Sequence, residues 1–194
     1  MGAPNLTTML GLGSKPADRE TAISRKYIYA PWIGSAAYLH TIYKPADDAA
    51  LVQNSNELSI PHIWQDFLRV QNGAHIYHVV SILGAIDPRQ PMRRTPDDAG
   101  PFRIISSNRE AKLSPTGEWL EIGVYSYSGA RVLLHRLNHS VKAVDRPVKK
   151  DLASWADIDT WLRSELDRLS VLFNPEGRLL VDERLTEPSS DADV

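Results

Sequence analysis

Six histidines are the most versatile potential ligands in the chain. Four of them fall in close pairs, His75 with His78 and His135 with His139. Four imidazoles gathered at one point would suit zinc. The spacing argues against that convergence. Residues three apart on a strand face opposite sides, and His135 and His139 straddle a strand end and a turn. The sequence therefore predicts no metal and no cofactor. Cysteine is absent, which removes disulfides, thiolate nucleophiles and cysteine metal clusters. Asp157 and Asp159 form an acid pair, but at a helix start such residues more often complement the helix dipole. Arg89, Arg93 and Arg94 sit in a proline-rich stretch where they could clamp an anion or simply stay solvated. The run GLGSK lacks phosphate-loop spacing, and Pro16 stands where Ser or Thr is required. No G-x-S-x-G elbow is present. The expected set of catalytic residues is empty.

These side chains must be positioned by one core. The chain has 194 residues, enough for one domain and too few for two of ordinary size. Net charge is −2, which does not suit a nucleic-acid binder. The charge is uneven: residues 88–150 hold 12 basic and 6 acidic side chains, and residues 151–194 hold 4 basic and 11 acidic. No stretch is apolar enough to span a bilayer, and the N-terminus does not read as a signal peptide. A cytoplasmic address is expected.

The organisation follows from periodicity. Residues 1–26 mix Gly, Pro, Ser and charges and are expected to form a flexible arm. The domain proper is expected over 27–181, and residues 182–194 as an acidic disordered tail. Asp47 can cap a helix running to about Glu57. In IPHIWQDFLRVQNG, Ile60, Trp64, Phe67, Leu68 and Gln71 recur at helical spacing, Pro61 fits the first helical position, and Gly73 is expected to cap the end. Ile76 to Leu83 reads as one strand, 87–101 as a long loop, and 102–112 as a short helix. WLEIGVY alternates, with Leu120, Ile122 and Val124 on one face and Glu121, Gly123 and Tyr125 on the other. RVLLHRL returns, and Val141 to Asp145 extends the meander. In LASWADIDTWLRSELDRLSVLF, Ser154 and Asp157 have capping-box spacing, and Trp155 and Trp161 belong to an apolar stripe and read as core. The fold class is α+β: an antiparallel sheet packed against helices in a single domain.

Three of these stretches, in this order, resemble the SUKH superfamily, which includes the Smi–Knr cell-wall regulators and many immunity proteins of polymorphic toxin systems. ELSIPHIWQDFLRVQNGAHIY looks like its leucine-proline helix ending in Asn-Gly. GEWLEIGVYSYSGARVLLHRL looks like its isoleucine-glycine strand, turn and returning strand. DLASWADIDTWLRSEL looks like its closing helix. The likeness runs from about Leu51 to Phe173, and Pro61, Phe67, Asn72 and Gly123 match its structural positions. The resemblance implies a non-enzymatic protein that neutralises a toxin domain, often a nuclease, by direct contact. The alternatives are a regulatory scaffold of the Smi–Knr kind and, further off, a hydrolase.

The partner surface is expected at Tyr125, Tyr127 and Arg131, since tyrosine and arginine are enriched at interface hot spots. Tyr125 could equally cover the outer face of the sheet. The acidic C-terminal quarter is a competing surface for a basic partner.

Overall fold

A computed structural model describes residues 2–36, 38–86, 101–146, 150–182 and 186–188. Nine strands among them form one antiparallel sheet whose spatial order is the sequence order. They are β1 (Arg19–Glu20), β2 (Ser24–Tyr29), β3 (Tyr38–Tyr43), β4 (Ala74–Ile76), β5 (Val80–Ile82), β6 (Trp119–Tyr125), β7 (Arg131–His135), β8 (Val141–Val144) and β9 (Asp151–Trp155). The helices are α1 (Leu6–Met9), α2 (Asp48–Leu58), α3 (His62–Val70), α4 (Ile104–Glu110) and α5 (Ile158–Ser170). The α+β architecture is the expected one.

The helices obey their local signals. The Asp47 carboxylate accepts the Ala50 N–H at 2.7 Å and starts α2. Trp64, Phe67 and Leu68 of α3 are fully buried, with Trp64 and Phe67 stacked at 4.6 Å. Pro61 precedes the helix as its N-cap instead of filling its first turn.

Four local expectations are corrected. Residues 2–26 are not a loose arm. Leu6 and Leu12 are buried in the core, the Leu6 N–H donates to Gln71 Oε1 at 2.9 Å, and Gln71 Nε2 donates to the Pro4 carbonyl at 2.9 Å. A buried glutamine thus satisfies the backbone of the N-terminal segment, which composition could not reveal. Residues 76–83 are not one strand but the turn and second arm of a hairpin. Tyr77 and His78 adopt φ of 51° and 55°, and the Val79 N–H closes the turn on the Ile76 carbonyl at 3.0 Å.

Gly73 does not cap α3, because Gln71 after the helix is already extended. Its φ of +84° lies in the link to β4, where an added Cβ would sit 2.5 Å from the Ile82 carbonyl oxygen. Finally, Ser154 belongs to β9. The cap of α5 is Asp157, whose carboxylate accepts the Thr160 N–H at 2.7 Å.

One bulge organises the centre of the sheet. Leu120 lies opposite Leu134 and Glu121 opposite Leu133, but Gly123 lies opposite Val132, which leaves Ile122 as the extra residue. An extra residue inverts the side-chain alternation beyond it. Leu120, Gly123 and Tyr125 therefore share the face of Val132 and Leu134, while Glu121 and Val124 share the opposite face with Leu133 and Arg131. The alternation predicted for WLEIGVY holds before the bulge and reverses after it.

Candidate functional site

The turn joining β6 and β7 carries the expected partner residues, and the bulge separates them. Tyr125 is 1 % exposed. It faces the core near α5, and burial pushes its phenol well above the usual range, with the Glu165 charge adding to the effect. It therefore leaves the partner surface, because the inverted alternation turns it inward. Tyr127 stays at the surface, 41 % exposed. The turn that presents it is closed by the Gly129 N–H on the Tyr125 carbonyl at 2.9 Å and by the Tyr125 N–H on the Ala130 carbonyl at 2.8 Å. Gly129 supplies the φ of +72° that the turn needs.

Arg131 turns to the second face of the sheet. Its Nε lies 3.5 Å from Oε2 of Glu121, a residue only 1 % exposed. The Ser107 hydroxyl of α4 donates to the other Glu121 oxygen at 2.7 Å. Burial raises the Glu121 carboxyl above its ordinary range, and the Ser107 hydrogen bond and the Arg131 charge pull against that shift.

This carboxylate stands at the wall of a half-open cleft of about 440 Å³ between α4 and the sheet. Arg103, Arg131 and Arg146 reach the cleft, with Glu110 as a second acid. Among the described residues, the buried Nε of Arg103 has no hydrogen-bond partner. The cleft was not legible in the sequence. Its residues come from β5, α4, β6, β7 and the end of β8, and the only local signal was a lone glutamate inside the apolar run WLEIGVY.

The other candidate residues do not converge. His75 contacts the Ser81 hydroxyl at 3.0 Å and the edge of Phe102 at 5.3 Å. Burial, aided by His78, lowers its pKa to about 4. His135 packs against Trp119 at 4.9 Å, and its Nδ1 accepts the Leu137 and Asn138 N–H groups at 3.2 and 3.3 Å. Among the described residues, no group of three or more His, Cys, Asp or Glu is placed to hold a metal ion. Asp157 is a helix cap, and Asp159 pairs with Arg163 at 2.7 Å. Trp161 is fully buried, and Trp155 packs on the core from β9. Arg89, Arg93 and Arg94 lie outside the described residues, as does most of the acidic tail.

No protein-family model matches the chain, and no curated protein is similar to it. Among the described residues no helix is long and apolar enough to cross a membrane.

Proposed function

We propose that this chain is a non-enzymatic protein-binding domain of the SUKH kind, and that it acts in the cytoplasm as an immunity protein that neutralises a toxin domain by direct contact. The observation that carries the reading is the placement of the three SUKH-like stretches. They fall on the end of α2 with α3 and β4, on β6, its turn and β7, and on β9 and α5, around one antiparallel sheet. The exposed Tyr127 turn lies at the end of the β6–β7 hairpin, with Arg131 at the start of β7, and tyrosine and arginine are favoured at protein interfaces.

The test is co-expression with the product of the gene that neighbours this chain's own. Growth rescue together with a complex that survives gel filtration supports the reading. A neighbouring product that is toxic yet neither bound nor relieved overturns it. A complex with a non-toxic neighbour would move the reading to the regulatory scaffold. Tyr127→Ala should raise the dissociation rate of the complex at least fivefold with little salt dependence, as expected for loss of a buried aromatic anchor.

A further inference from the structure

The cleft between α4 and the second face of the sheet has features that a protein-binding surface does not require. Its volume of about 440 Å³ falls in the range of small-molecule pockets, roughly 300–1,000 Å³. Leu83, Phe102 and Val124 contribute apolar wall. Against these stand three guanidinium groups and two carboxylates, an excess of one positive charge when all are ionised.

The arginines are incompletely used. Arg131 spends its Nε on Glu121, and its side chain makes no other ion pair or hydrogen bond among the described residues. The Arg146 side chain makes neither among them. Among the described residues the buried Arg103 Nε–H finds no acceptor, and Glu121 Oε2, 3.5 Å from Arg131 Nε, accepts no hydrogen bond, so the polar groups at the cleft are incompletely paired. Glu121, held by Ser107 and paired to Arg131 through Nε, fixes the Arg131 fork while leaving its terminal nitrogens for a planar acceptor.

We propose that this cleft binds a small organic monocarboxylate with an apolar body, its carboxylate held by Arg131 and Arg146. A planar carboxylate matches the guanidinium fork in bidentate fashion. A single negative charge balances the cleft, whereas a phosphate dianion would exceed that balance and approach Glu110 and Glu121. The apolar body packs on Leu83, Phe102 and Val124. This site shares Arg131 with the proposed protein-binding surface, but it does not depend on that reading.

Titration of the full chain with sodium benzoate at constant ionic strength, followed by amide NMR shifts, tests the proposal. Benzamide is the neutral control and phenyl phosphate the dianionic one. Saturable benzoate binding is expected, with shifts centred on α4, β6 and β7, and with benzamide at least about tenfold weaker, one ion-pair's worth of discrimination. Arg146→Gln, at the exposed rim, should weaken benzoate at least about fivefold and leave the melting temperature unchanged, as a surface substitution does. Arg131→Gln should weaken it further, and Arg146→Gln decides the matter should that variant fail to fold. Equal affinity for benzoate and benzamide, absence of saturation, or full affinity in Arg146→Gln overturns the site. Tighter binding of phenyl phosphate than of benzoate overturns the monocarboxylate assignment.

Discussion

Asn108 and Glu121 are paired as two strands would be: Asn108 Nδ2 donates to the Glu121 carbonyl at 2.9 Å, and the Glu121 N–H donates to Asn108 Oδ1 at 2.9 Å. A side-chain amide from α4 thus stands in for a strand backbone next to the bulge, beyond the point where the β5–β6 ladder stops at Ile82 and Gly123. Asn72 repeats the device, with Nδ2 donating to the Ala85 carbonyl and Oδ1 accepting the Ala85 N–H, both at 2.7 Å. These two amides fasten segments that the sheet itself does not pair.

Asn108→Ala removes both partners of a buried backbone pair. Each of the two buried groups left unsatisfied costs about 1–3 kcal/mol, so the variant should lose about 2–6 kcal/mol in urea denaturation. It should also weaken any ligand of the cleft by loosening the seat of Glu121. Wild-type stability in Asn108→Ala would show that the bulge needs no such support.

Gly73→Ala should destabilise more than a simple cap would. A positive φ costs a β-carbon about 1 kcal/mol, and the 2.5 Å approach to the Ile82 oxygen adds overpacking of about 1–3 kcal/mol. The loss should be about 2–4 kcal/mol by denaturant titration. A loss below 0.5 kcal/mol, read in the same titration, would place the steric demand elsewhere, a threshold set by ordinary surface changes of about 0.5 kcal/mol.

Tyr125 and Tyr127 should respond oppositely. Tyr125→Ala should cost about 3–5 kcal/mol, as for other buried aromatics. Tyr127→Ala should stay within about 0.5 kcal/mol. Thermal melts of the two variants check this, and equal melting temperatures would contradict the inverted alternation.

Histidine burial predicts a pH dependence. His40 is buried beside Tyr77, whose N–H donates to its Nδ1 at 3.3 Å, and desolvation lowers its pKa from 6.5 to about 3. The unfolded chain therefore binds one more proton than the folded chain between those values. Its contribution to stability is complete above pH 6.5 and is lost as pH falls toward 3. The slope is about 1.4 kcal/mol per pH unit. His40→Phe keeps a ring against Tyr77 and removes that titration. The difference between wild type and variant should therefore shrink as pH falls from 6 to 4, measured by urea denaturation at each pH. A constant difference across that range would mean that His40 charges freely in the folded state.

Much of the fold was written in local pattern. The helical period of Trp64, Phe67 and Leu68, the Asp47 cap and the alternation of RVLLH each depend on residues within a few positions, so the chain declares them without its fold. The meander from β6 to β8 is also legible, because short turns leave adjacent strands little choice but to pair. The inward turn of Tyr125 was not legible. Period-two alternation is blind to one extra residue, and the bulge at Ile122 appears only when β6 is laid against β7. The packing of Leu6 through Gln71 was hidden for a related reason, since its hydrogen bonds join residues 65 and 67 positions apart. The cleft was hidden most completely. Its arginines and its buried glutamate sit far apart in the chain, and no spacing rule brings Arg103, Glu121, Arg131 and Arg146 together. Only the sheet, the bulge and α4 do so, because charge convergence is a property of three-dimensional distance and not of sequence order.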